Sequence, residues 1–194
     1  MPLFIKPEIR VIGWDDSRHT KNQKSVQLVG VIMRGGQWVD GVLTTKVKVD
    51  GVDSTETIAS AIIKSRHYDQ LSVIMTDGIT FGGFNIVDIN ALSKITQKPV
   101  IAVQRRKPNM REFKNAIKKI FADHRRRLRI VEKTGRVIEF RGQKGTIYYQ
   151  KAGCTKEFCE RLLSLTSTRS FIPEPLRVAH LIAGGLSGES RGGA

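Results

Sequence analysis

The chain has 194 residues, 40% of them hydrophobic, which is enough for one sizeable core and too apolar for a disordered chain. Lys and Arg number 33 against 18 Asp and Glu, a formal net charge of +15 that points to a polyanionic partner. No stretch reaches the roughly 18 consecutive apolar residues that span a bilayer, and the opening MPLFIKPEIRV lacks the apolar run of a secretory signal, so a cytoplasmic protein without membrane contact is expected.

Three strands are predicted first: IRVIGWDD, SVQLVGVIMR and, after the turn at Gly35 and Gly36, WVDGVLTTKVKV, in the order of an antiparallel meander. Asp53 stands where a helix N-cap would, and Thr57 to Arg66 follows with Ile58, Ala61 and Ile62 at helical spacing. LSVIMTDG returns as a fourth strand. The GITFGGF loop after it is rich in glycine but matches neither the P-loop nor the dinucleotide pattern. NIVDINALSKI then reads as a helix and PVIAVQ as a fifth strand, so strand and helix alternate through this half of the chain.

Residues 104–129 carry eleven Lys and Arg against two acids, so nine of the fifteen excess positive charges sit in 26 residues. One helix drawn through them places Phe113, Ile117, Ile120, Phe121 and Leu128 on one face and the positive charges outside. A solvated helix face has the same pattern. The density of charge favours contact with nucleic acid through Arg105, Arg106, Lys107, Arg111, Lys118, Lys119, Arg125 and Arg126.

Beyond this segment RVIEF and TIYYQKA straddle a turn as a hairpin, and TKEFCERLLSLT and PEPLRVAHLIAGGL read as the last helices. Residues 1–186 are expected to form a single domain, and SGESRGGA, 187–194, a disordered tail. The two cysteines, Cys154 and Cys159, fall in what reads as one helix, where neither a disulfide nor a zinc pair is natural, so both read as packing residues.

Three carboxylates hold telling positions: Asp15 at the end of the first strand, Glu56 in the first turn of the first helix, and Asp77 at the end of the fourth strand. Each also fits a plain role. Asp15 or Asp16 suits the start of a turn, Glu56 a capping box with Asp53, and Asp77-Gly78 a tight turn. Converging carboxylates repel one another unless a cation lies between them, and all-oxygen donors suit Mg²⁺ or Mn²⁺. Two such ions about 4 Å apart can activate water and stabilise the departing 3′ oxygen of a phosphodiester.

These residues resemble endonuclease V, and more closely the archaeal endonuclease V-like proteins called endonuclease dU. The likeness runs along the whole chain and implies a ribonuclease H-like fold, a mixed five-stranded sheet flanked by helices, with an added C-terminal hairpin and helices. IGWDDS is similar to the family's first strand, its aspartate matching Asp15 with Asp16 as the competing candidate; Glu56 matches the second acid and Asp77 in MTDG the third. PVIAVQRR places Arg105 where the family has a basic residue, usually lysine, near the scissile phosphate, and PEPLRVAH places His180 near the metals. Taken alone, His180 equally suits the core of an amphipathic helix beside Leu176, Leu181 and Ile182. The tyrosine- and proline-containing wedge of endonuclease V has no counterpart in GQWVDGVL, where Trp38 is the residue able to stack on a base, and GITFGGFN replaces a loop that elsewhere carries histidine, proline and arginine.

The resemblance implies a Mg²⁺- or Mn²⁺-dependent endonuclease acting near a deaminated base, hypoxanthine or uracil in DNA, with RNA left open and a monomer as the default. Asp15, Glu56 and Asp77 would hold the metals, His180 would assist, and Arg105 would neutralise phosphate charge. Two other readings stand beside it: a nucleic-acid-binding protein that no longer cuts, and a phosphohydrolase of small phosphates.

Overall fold

The computed structural model describes residues 5–20 and 22–190. Three predicted strands appear where the apolar patterning puts them, as β1 (Arg10–Asp16), β2 (Ser25–Arg34) and β3 (Trp38–Lys48), paired as an antiparallel meander. Helix α1 (Ser54–Ile63) follows, then β4 (Val73–Asp77), which pairs in parallel with β1. The Gly-rich segment after β4 folds into a small ribbon of β5 (Thr80–Phe81) and β6 (Asn85–Ile86). Helix α2 (Ile89–Thr96) begins four residues later than NIVDINALSKI suggests, because Asp88 caps it by accepting from the N–H groups of Asn90 and Ala91.

Strand β7 (Val100–Gln104) lies parallel to β4. The basic segment is not one helix. It breaks into α3 (Met110–Ile120) and α4 (His124–Lys133), with Phe121 in extended backbone between them. The break turns Phe121 against Phe84 and leaves Ile120 58% exposed, which a straight helix would have placed on the apolar face. The hairpin β8 (Ile138–Gly142) and β9 (Gly145–Ala152) joins the main sheet through β9 against β7, which extends the five predicted strands to seven in the order β3-β2-β1-β4-β7-β9-β8. Helices α5 (Lys156–Thr166) and α6 (Glu174–Gly185) complete the chain. Of the tail predicted to be disordered, 187–190 hold neither helix nor strand, and 191–194 lie outside the described residues.

Side chains alternate across a strand, so the sheet divides the core. Ile12, Trp14, Ile74, Val100 and Ala102 pack under α1 to α4, together with Ile58, Leu92, Ile117 and Val131. Val11, Val73, Met75, Ile101 and Val103 pack on the other face, under α5 and α6. Among the described residues, no helix is long and apolar enough to cross a membrane.

Candidate active site

The parallel register of β1 and β4 sets Trp14 beside Thr76, and one step further along stand Asp15 and Asp77. Alternation sends both carboxylates to the face covered by α6. Gly13 lets that helix come close, since a Cβ there would lie 2.6 Å from the carbonyl oxygen of Pro175 and 2.7 Å from the nitrogen of Leu176. From that contact α6 rises about 7.5 Å over five residues to His180, while β1 advances about 6.6 Å over two residues to Asp15. Helix and strand arrive at the same level, and His180 Nδ1 lies 2.7 Å from Asp15 Oδ2. The other oxygen of Asp15 accepts the backbone N–H of Asp16 at 2.8 Å.

Asp15, Asp77 and His180 each bring a ligand atom within 4.8 Å of the others, and among the described residues only these three acidic, imidazole or thiol groups gather in this way. Burial, and then the charge of Asp15, push the Asp77 carboxyl up to about 7, against the opposing pull of Arg105 and His180. The hydrogen bond to Asp15 raises His180. Two acids and an imidazole with unrelieved repulsion between the acids make a donor set that fits a divalent cation, with oxygen donors suited to Mg²⁺ or Mn²⁺. Arg105 directly follows β7, within electrostatic reach of Asp77 and His180. A cleft of about 640 Å³ opens from Asp77, Gly78 and Arg105 toward Gln104, Met110 and Phe113 at the start of α3.

Two predicted residues fall elsewhere. Glu56 is exposed on α1, which packs against the opposite face of the sheet, so it does not join Asp15 and Asp77; nor does a capping box form, because Asp53 makes no side-chain cap bond and instead accepts from Asn85 Nδ2 at 2.6 Å. Trp38 is 61% exposed but pairs with Arg34, which in turn faces Arg10 at the start of β1. Five residues of strand, about 17 Å, then separate its level from that of Asp15, too far to stack on a base held at the acids. Asp16 does point to the other face, where it accepts the N–H of Gly82 at 2.7 Å and burial raises its carboxyl to about 6. Its observed part is to tie the β5-β6 ribbon to the end of β1.

Arg106, Lys107, Arg111, Lys118, Lys119, Arg125 and Arg126 all lie exposed along the segment from the end of β7 to α4. Arg127 differs: it is 5% exposed, bonds to Asp123 and to the carbonyls of Asp50, Gly51 and Phe84, and covers the ring of Phe121. Sequence reasoning missed both this Arg127 anchor and the Gly13 contact. A single arginine inside a run of arginines carries no local mark of burial, and a glycine inside a strand signals only that something approaches closely.

Residues 7–187 match the endonuclease dU family. A UPF0215 protein of Methanosarcina barkeri is 50% identical over 193 residues, covering 99% of this chain and 98% of its own. An Archaeoglobus fulgidus protein described as of unknown function superposes with a TM-score of 0.83 at 36% identity, over 92% of this chain and 98% of that one. Endonuclease V of Ciona intestinalis, solved with inosine-containing DNA, aligns with a TM-score of 0.59 at 18% identity, over 88% of this chain and 82% of that one, a likeness of fold that identifies the sheet as ribonuclease H-like. The chain belongs to the endonuclease dU family, whose name is that of a nuclease.

Proposed function

We propose that the protein is a divalent-metal-dependent endonuclease that cuts a phosphodiester near a deaminated base, with DNA as its substrate. One observation carries this reading: Asp15, Asp77 and His180, from three separate elements, meet at the ends of the parallel strands, where burial and mutual repulsion leave them short of positive charge. The membership of the endonuclease dU family and the basic flank from Arg105 to Arg126 support it.

Asp15 and Asp77 would hold Mg²⁺ or Mn²⁺, which when bound supplies Lewis-acid activation of water and of the phosphoryl oxygen. His180 holds Asp15 in one orientation through Nδ1 and can take or return a proton at Nε2. Arg105 would offset the charge that develops on the phosphate. The cleft beside Asp77 has room for a nucleotide drawn out of the strand, with Met110 and Phe113 as apolar walls. Arg106, Lys107, Arg111, Lys118, Lys119, Arg125 and Arg126 would neutralise backbone phosphates along the flank. Glu56 has no part in this ligand set.

The test is incubation of the purified protein with Mg²⁺ and labelled duplex and single-stranded oligonucleotides containing one uracil, one hypoxanthine or no lesion, with EDTA and Asp77→Asn controls. Lesion-dependent nicking that both controls abolish is the expected result. Salt-sensitive binding without cleavage under any metal would overturn the catalytic reading and leave a nucleic-acid-binding protein.

A further inference from the structure

The two cysteines are not independent packing residues. Five positions along a continuous helix would set their side chains about 140° apart around its axis. The chain instead turns at Gly153, in the left-handed region with φ +73°, and α5 begins only at Lys156, capped by Thr155. Cys154 is thereby folded back over the first turn, and its Sγ lies 3.3 Å from that of Cys159. Cys159 is fully buried among Leu162, Leu163 and Tyr149, whereas Cys154 is half-buried at the N-terminal end of α5. Among the described residues no third metal-binding side chain joins them.

We propose that Cys154 and Cys159 form a dithiol that closes reversibly to an intramolecular disulfide by exchange with a small-molecule disulfide. The order of reaction follows from exposure. Cys154 is the accessible thiol; the hydrogen bond from Cys159, and the nearby Lys151 ammonium, favour its thiolate, and Lys151 Nζ also donates to the Cys154 carbonyl at 2.6 Å. The Cys154 thiolate attacks one sulfur of the small disulfide and expels one thiolate, leaving a mixed disulfide on Cys154. Cys159 then gives up its proton and attacks Cys154 Sγ, the mixed bond breaks, and the second thiolate leaves. The protein loses two hydrogens and two electrons, and the small disulfide is reduced to two thiols.

The bond would staple the first turn of α5 to the end of β9. Ala152 pairs there with Val100, the first residue of β7, whereas Asp77 pairs with Val103 near the other end of that strand. The staple therefore acts on stability at the end of the sheet remote from the acids, and it stands or falls independently of the proposed nuclease activity.

The experiment takes the full, reduced chain, exposes it to oxidised glutathione, and follows thiol count after denaturation, intact mass and peptide maps. The expected product is a monomer that has lost two hydrogens and both thiols, with Cys154 and Cys159 in one linked peptide. Its thermal midpoint should lie about 4–8 °C above the reduced form and return on reduction. Cys159→Ser should stop at the glutathione adduct of Cys154, and Cys154→Ser should resist the reagent while folded. Two free thiols after equilibration, a wild-type chain that stays a glutathione adduct, or a disulfide between two chains would each overturn the proposal, and all three are read on the wild-type protein whether or not the variants fold.

Discussion

Two of the regions where this molecule buries charge do so in opposite ways. Arg127 is enclosed by Asp123 and three backbone carbonyls, with Phe121 beneath its guanidinium, so its hydrogen-bonding capacity is largely met. Buried Asp15 and half-buried Asp77 stand beside each other, and the single imidazole of His180 and the charge of Arg105 do not relieve their repulsion. A buried charge with its partners in place holds architecture together, here α4 to the loops at Asp50 and Phe84. Buried charges left in conflict are tolerated where a ligand completes them. The same low dielectric thus leaves one region with its charge satisfied and the other with charges that a ligand could complete.

The sharpest way to break this contrast is Asp77→Asn, which on the proposed function should lower cleavage at least about 100-fold, since it removes a charge that the metal and the transition state would both need. The same substitution should stabilise the metal-free protein. Asp77 and Asp16 are held up at about 7 and about 6, above their unfolded value of 3.8, so each binds a proton more tightly when folded. Their contribution is therefore lost as pH rises from about 4 through about 7, and raised His180 acts with the same sign at its own, higher range. In EDTA the melting temperature should fall across this window, Asp77→Asn should flatten the fall and gain about 2–6 °C at pH 7.5, and Mn²⁺ should raise the wild type but not the variant. A melting temperature that rises with pH in EDTA would contradict the assigned conflict.

Arg127→Ala should cost about 3–5 kcal/mol in urea unfolding, because the carbonyls of Asp50, Gly51 and Phe84 lose their partner where the guanidinium was buried, with exposed Asp123 adding little. A loss below about 1 kcal/mol would place Arg127 with the solvated arginines beside it. Gly13→Ala should cost about 1–3 kcal/mol and lower cleavage more than stability predicts, since its methyl pushes α6, and with it His180, away from Asp15. Lys118→Ala and Lys119→Ala should each reduce the salt slope of nucleic-acid binding by about 1 and leave unfolding unchanged. The smallest effect is expected for Glu56→Gln, with cleavage within about twofold of wild type, as suits a surface substitution away from the site. A large loss there would return Glu56 to the ligand set.

Strand by strand, the meander, the crossover to β4 and the positions of Asp15 and Asp77 were legible because period-two apolar runs and their polar ends are local features. The break between α3 and α4 was not, because Phe121 leaves the helix to pack on Phe84, a contact between segments far apart in the chain. The hairpin was legible as a hairpin, yet its place in the main sheet depended on pairing with β7, which no residue of the hairpin announces.

For the site the division is similar. The amino-acid sequence by itself determined which side chains are chemically able, a basic flank and a small set of acids with one histidine, and the resemblance of PEPLRVAH put His180 among them. Only the tertiary structure decided which of them meet. It set Asp15, and not Asp16, on the face of β1 that α6 covers, kept Glu56 and Trp38 apart from it, and brought Cys154 against Cys159. Composition and periodicity are properties of neighbours along the chain, whereas a site is a property of neighbours across it, and a one-residue change of face or a single left-handed glycine is enough to separate the two.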